Sequence, residues 1–365
     1  MLDRRRFLRT GGAIAGAVAV PTVAVGVAQG VARSRRTSQT STTPGAVTVS
    51  KRFDLTAPST ALLREVQLGS TRVLQSFAFD NTSGHLFTVQ LVDSGLQLPG
   101  ETQTYSGPDR EANGDLCLTR LDTSGRILGT MYLRGFGHGV QIGVESTTSG
   151  AYLWAETHNV RTANSDGTYT GWGDRLGRFK FANGTVLTAD SPALTQYTLE
   201  NGVDRTTCAI DPVNNRLAVR CRVSGAFRFR LYDLASFKAG GRTTLADVAQ
   251  PADLQPGYSD TFQGFTSYGS YLYLLAGSQY GKDGSVSPDG NTFITSVDWN
   301  TGTVKEQKLT KAGYTLSYRE PEGMAIQIPD PANPQALRLC SGFSSYTSAT
   351  DQRKKTSIYY KNVLV

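Results

Sequence analysis

The sequence is poor in the residues that announce chemistry. It holds only three histidines, four cysteines and three methionines. Cys117, Cys208, Cys221 and Cys340 match no zinc pattern, so a structural zinc module is excluded. No Ser-His-Asp order, phosphate loop or metal-ligand spacing is visible, which removes the common hydrolase, nucleotide-enzyme and metal signatures. No cofactor and no metal are expected. Long segments of 3.6-residue periodicity are almost absent, so a helical architecture is excluded as well.

Excess charge is also scarce. The formal charge is +7. Removing the four arginines and one aspartate of the first nine residues leaves +4, scattered along the chain. That excludes a nucleic-acid reading and permits only a mild attraction to anionic polymers.

What is present begins with an address. Asp3-Arg4-Arg5-Arg6-Phe7-Leu8-Arg9 reads as a twin-arginine export motif, followed by an Ala/Gly/Val-rich apolar stretch from about Gly11 to Ala28. Residues 1–32 are read as the signal and 33–48 as a Ser/Thr/Pro-containing linker without a core. The protein is expected to be secreted by that route, as a monomer with no membrane contact beyond the signal. The four cysteines read as buried, small and apolar, and export would permit a disulfide.

Residues 49–365 carry glycine-punctuated, strand-like runs, the mark of an all-β fold. Five segments share a pattern of polar, small, then mostly apolar residues. They begin at Gln75, His138, Thr206, Gln263 and Glu322. A β-branched or aromatic run follows each, at His85, Ala151, Arg216, Tyr271 and Ala336. Further hairpins with glycine turns are read at Arg120, Phe179 and Val297. A repeat of roughly 60 residues suits blades, so the expected fold is a five-bladed β-propeller. The last unit lacks a strand, and residues 47–55 are expected to supply it.

In such a ring the repeated segments are the inner strands, and their small residues let five backbones converge. The polar residues before them would form one channel mouth. Strand pairing brings Gln90, Glu156, His158, Arg222, Gln279 and Tyr280 to that side. The longer loops, read at 92–114, 157–174, 278–290 and 343–354, lie there too. Substrate-binding candidates are Gln75, His138, His158, Arg205, Gln263, Tyr280, Arg319 and Glu322. Glu322 and His138 are expected to face solvent, with Arg319 or Arg205 as the partner of Glu322. Glu145 reads as structural. Arginine forks and flat aromatics suit phosphate- or carboxylate-bearing sugars.

The elements "KRFDLT", "GHGVQIGVE", "YLWAET", "GRFKF" and "REPEGMAI" resemble the family named for teichoic acid biosynthesis protein C, which shares its propeller with staphylococcal phage receptor-binding proteins. The resemblance runs from about Lys51 to the C-terminus. It implies a five-bladed propeller and a link to wall teichoic acid or another surface glycan. An exported propeller has little access to cytoplasmic activated donors, so recognition or turnover outside the membrane fits better than synthesis. Two functions follow. One is a binding module for an anionic cell-wall or extracellular glycopolymer. The alternative is a glycan-active enzyme. A hydrolase would pair Glu156 with Glu320 or Glu322. A lyase would use His138 or a nearby tyrosine as base, beside an arginine.

Overall fold

The computed structural model describes residues 46–348 and 350–365. The signal reading and most of the linker lie outside the described residues. Within them the chain forms five sheets and only two short helices, α1 (Gly107–Asn113) and α2 (Leu234–Lys238).

Strand β1 is Thr60–Gln67. The first blade contains β2 (Leu74–Asp80), β3 (His85–Leu91), β4 (Leu116–Leu121) and β5 (Ile127–Arg134). The second has β6 (Gly143–Glu145), β7 (Tyr152–Ala163) and β8 (Tyr169–Phe179). Next come β9 (Val186–Thr188) and β10 (Thr195–Tyr197). β10 is the outer strand of blade two, whereas β9 pairs parallel with β5 as a fifth strand of blade one. The hairpin expected at Phe179 is therefore a crossover between blades.

Blade three is β11 (Val203–Asp211), β12 (Arg216–Val223), β13 (Ala226–Asp233) and β14 (Ala246–Ala249). Blade four is β15 (Phe262–Tyr268), β16 (Tyr271–Ala276), β17 (Phe293–Asp298) and β18 (Val304–Leu309). Blade five is β19 (Glu320–Gln327), β20 (Arg338–Tyr346) and β21 (Lys354–Lys361), with β1 as its outer strand. The missing strand thus comes from the N-terminal side, but from residues 60–67 rather than 47–55. The earlier segment still ties the ends: Phe53 bridges Leu364, and Arg52 exchanges backbone hydrogen bonds with Val365.

Each of the five main apolar clusters fills one seam between consecutive blades. Phe87, Leu118 and Leu153 sit between blades one and two; Trp154, Val219 and Leu217 between two and three. Phe229, Phe265 and Leu272 lie between three and four, Tyr273 and Met324 between four and five, and Phe77 and Ile358 between five and one. Both faces of each sheet are covered. This is why β2, β15 and β19 are buried along their whole length and show no polar/apolar alternation.

The inner strands follow one another around the axis in the order β2, β6, β11, β15, β19. The small residues of the repeats touch, Gly139 doing so from the segment just before β6. The Ser76 hydroxyl donates to the Gly139 carbonyl at 2.6 Å, and Thr207 donates to the Gln141 carbonyl at 2.6 Å. A Cβ on Gly264 would lie 2.6 Å from the Gly323 Cα, and one on Gly323 would lie 2.7 Å from the Ser76 Cα. The small second residue of the repeat is therefore a steric requirement. β2, β11, β15 and β19 also slip register at or beside the polar residue, between Leu74 and Ser76, Asp204 and Thr207, Phe262 and Gly264, and Pro321 and Met324. Such bulges twist the strand and re-aim that side chain.

All four cysteines are buried and free. Burial pushes the Cys117 thiol up to about 12 and the Cys221 thiol up to about 11. They behave as small core residues, and no disulfide forms.

Candidate functional site

The inner strands begin on one face, and the β3–β4 and β16–β17 loops emerge there. The first loop is built around a buried cation. Arg110 contacts both oxygens of Glu101 at 2.5 and 2.7 Å and the Asp115 carboxylate at 2.8 Å, with no exposed side-chain surface. Two expected loops are shorter. β7 and β8 pair through Asn159–Gly173, Val160–Trp172, Arg161–Gly171 and Thr162–Thr170, so most of 157–174 is a hairpin. β20 continues to Tyr346. In both places polar residues at alternate strand positions hid the ladder.

The channel is filled, inside this mouth, by a residue outside the expected set. Gln141 is 1% exposed. Its amide nitrogen donates to the Met324 carbonyl at 2.8 Å, and its amide oxygen accepts from the backbone N–H of Met324 and of Phe265, each at 3.2 Å. One side chain thus links blades two, four and five. Ala78, Ala209, Thr266 and Ala325 occupy the same place in the other repeats. A glutamine among alanines was the available signal.

The expected polar ring does not line an open channel. Gln263 donates to the Gly277 carbonyl at 2.9 Å. Thr206 donates to the Arg175 carbonyl at 3.0 Å, and Gln75 donates to the Val73 carbonyl at 3.3 Å. Glu322 is 0% exposed and His138 is 4% exposed, so neither faces bulk solvent. Arg319 does not pair with Glu322. Its guanidinium donates to the Ala312 and Thr310 carbonyls at 2.9 and 2.7 Å and to the Thr292 hydroxyl at 3.1 Å. It organises the loop before β19, and desolvation depresses its pKa. Tyr280 is likewise a brace, its hydroxyl donating to the Pro288 and Tyr314 carbonyls at 2.9 and 3.0 Å.

Glu156 is also interior. Its two oxygens accept the Gly139 N–H at 2.6 Å and the Gly173 N–H at 2.7 Å. Burial raises its pKa from 4.5 to about 7, against the lowering effect of those N–H donors. It lies in blade two and Glu320 and Glu322 in blade five, which do not adjoin. Glu156 therefore serves the interior of blade two, with both oxygens engaged by backbone N–H groups. Glu145 is structural, as expected, held by Trp154 at 3.1 Å, Arg178 at 2.7 Å and Lys238.

Two clusters remain near the surface of this face. At the seam of blades two and three, His138 stacks on Trp172 with ring centroids 4.9 Å apart and planes 25° apart. The Arg205 guanidinium lies 4.8 Å from the Trp172 ring. The Arg205 side chain makes no hydrogen bond or ion pair among the described residues, and its Nε is sealed from solvent. Arg205 also has a φ of 50°, in the left-handed region that is unfavourable for a non-glycine residue. Burial, then the nearby Arg222 charge, push its pKa down to about 10. Arg220, at 2% exposure, is bonded only to the Gln250 amide oxygen and repels Arg205. Close by, His158 has its Nδ1 2.7 Å from the Asp174 carboxylate and a φ of 61°. Arg222 is paired with Asp204. The second cluster, at the seam of blades five and one, contains Tyr318, Glu320, Tyr346 and Lys354.

Of the sequence candidates, the fold brings His138, Arg205 and, on the same edge, His158 together. Trp172 completes the group. Among the described residues no group of three or more His, Cys, Asp or Glu could hold a metal, and no helix is long and apolar enough to cross a membrane.

Comparison with known proteins agrees with this architecture. The profile of the family described as "Phage 5-bladed beta propeller receptor binding platform domain" matches residues 73–359. A Bacillus subtilis (strain 168) protein bearing the name major teichoic acid biosynthesis protein C is 26% identical over 316 residues. That match covers 84% of this chain and 63% of the relative, so the chain spans under two thirds of its length. The tail fiber of Staphylococcus aureus phage P68 superposes with a TM-score of 0.61 at 18% identity, covering 85% of this chain and 54% of the fiber. The chain belongs to the phage five-bladed β-propeller receptor-binding platform family.

Proposed function

We propose that the protein is an exported recognition module for a phosphate-bearing cell-surface glycopolymer of the teichoic-acid class, bound on the long-loop face at the seam of blades two and three. The observation that carries this reading is Arg205. A largely buried arginine without a hydrogen-bond partner, set on a tryptophan and beside a second arginine, is held ready for an external anion. Trp172 and His138 offer flat surface beside it for a sugar or alditol. The family match and the name of the Bacillus subtilis relative support a surface polymer as the ligand class. Recognition is favoured over hydrolysis because both Glu156 oxygens are engaged by backbone donors. The twin-arginine reading of residues 1–32 supports an extracellular or wall-associated location.

The test is a pull-down on purified Gram-positive cell walls before and after hydrogen fluoride stripping of phosphodiester-linked polymers. The reading predicts binding that is lost on stripping and weakened by phosphate. Equal binding to stripped walls contradicts it.

A further inference from the structure

Lys354 opens β21, directly across from Tyr346 in β20. Only 6% of the residue is exposed, and its Nζ has no hydrogen-bond acceptor. The Nζ lies 3.5 Å from the centroid of the Tyr346 ring and 4.1 Å from that of Tyr318. Aromatic faces attract an ammonium but offer no acceptor for its three N–H groups. The nearby carboxylate, Glu320, accepts the Tyr318 hydroxyl at 2.6 Å. A second cation stands close: Arg72 opposes the charge of Lys354, while Glu320 favours it. The Arg72 guanidinium also makes no hydrogen bond or ion pair among the described residues, and it lies by Gly107 at the edge of the 92–115 loop. The backbone joins the two, since the Lys354 N–H donates to the Thr71 carbonyl at 3.0 Å. Tyr318 and Arg319, the residues that wall this corner, both have positive φ, at 70° and 42°.

We propose that the seam between blades five and one is a second anion subsite, in which Lys354 and Arg72 take a phosphate group of the ligand. The inference rests on the proposed function only for the identity of that ligand. Glu320 and Glu322 stand on the Tyr318 side of this corner and Asp93 is held by Ser70 and Thr71, so Lys354 and Arg72 are the two cations left to face a phosphodiester. Its oxygens supply the acceptors that Tyr318 and Tyr346 cannot. The subsite shares a face with Arg205 but sits across the axis from it, so a polymer with repeated phosphates can engage both. Linked contacts of this kind raise apparent affinity ~100-fold or more over either alone.

Two readouts on the full protein test this. In the first, the Lys354 Nζ resonance, assigned by comparison with Lys354→Met, is followed during titration with inorganic phosphate. The expected result is a saturable shift in the wild type and a weaker one in Arg72→Gln. No shift at saturating phosphate overturns the subsite. In the second, a glycerol-phosphate oligomer is titrated into wild type, Lys354→Met and Arg72→Gln, each checked by thermal melt. Lys354→Met is expected to lose oligomer affinity by ~100-fold while keeping its affinity for a single glycerol phosphate at the Arg205 seam. Unchanged oligomer affinity in both folded variants overturns the two-point mode. If the oligomer fails to bind the wild type although phosphate moves the Nζ resonance, the subsite stands and the teichoic-acid reading falls.

Discussion

At the scale of single residues, charge on the long-loop face follows one rule, internal neutralisation, with two exceptions. Most buried charges are held by the protein itself. Arg110 is neutralised by Glu101 and Asp115, and Arg319 is wrapped in carbonyls. Glu156 belongs with these, and its titration has a measurable consequence. Its folded pKa is raised, from 4.5 to about 7, so the native chain holds this proton more tightly than the unfolded chain between those values. The stability it contributes is therefore greatest at the acidic end and falls as pH rises through that window. Glu156→Gln lacks this titration, and its amide N–H would face a backbone donor, Gly139 or Gly173. We predict a loss of about 1–3 kcal/mol, with the gap in melting temperature between wild type and variant wider near about pH 5 than near about pH 8. Parallel melts across that range check it. A gap that widens toward alkaline pH would show that the carboxylate is stabilised as an anion instead. Arg205 and Lys354 break this rule, since each is nearly buried without an internal acceptor. The sequence shows Arg205 beside a repeat and Glu156 in a strand. It cannot show which groups surround them, because the two N–H donors of Glu156 lie 17 residues to either side of it and Trp172 reaches Arg205 from the neighbouring blade. Gln141 was more legible, as the one bulky polar residue at a repeat position that is otherwise Ala or Thr.

At the scale of elements, the repeated inner strands were readable because sterics at the axis allow so little. Ser76, Gly139, Thr207, Gly264 and Gly323 are all small for one reason, close backbone approach. Gly323 carries a φ of 73° as well. We predict that Gly323→Ala destabilises the fold by roughly 3 kcal/mol, from overpacking against Ser76 together with an unfavourable backbone conformation. Denaturant melts decide it, and a change below about 0.5 kcal/mol would mean the ring is looser than the contacts indicate. The outer strands were less legible. β1 and the short β9 and β10 are half exposed, so few of their residues are fixed by burial. Residues 47–55 and 60–67 both look strand-like, and only the pairing of Thr60 with Tyr360 and of Leu63 with Ile358 selects the second. Removing residues through Gln67 is predicted to leave β21 as a bare edge and expose Ile358 and Leu63's partners in the five–one seam. Size-exclusion chromatography of that truncation should show aggregate. A monodisperse monomer with a wild-type melt would show that β1 does not close the ring.

At the scale of the whole molecule, the propeller is a rigid ring that divides labour between its faces. Tight turns such as 80–84 cap the far side, where Asp80 accepts from Ser83 at 2.5 Å and from Ser146 of the next blade at 2.6 Å. The near side carries the longer loops and two buried cations without an internal acceptor, Arg205 and Lys354, on different seams. With Gln141 filling the axis, a ligand on this face rests on the seams rather than entering the channel. The central claim is that Arg205 supplies the primary contact to a phosphate-linked polymer. Calorimetric titration of a purified poly(glycerol phosphate) into wild type and Arg205→Gln tests it most directly, with melts confirming that both are folded. A charge-assisted contact is worth about 1.5–3 kcal/mol, so the account predicts a loss of affinity of roughly ten- to a hundredfold in the variant and a stability loss no larger than the Trp172 cation–π contact, about 0.5–1 kcal/mol, since no hydrogen bond or ion pair is abandoned. Equal affinity in a folded Arg205→Gln protein would contradict it.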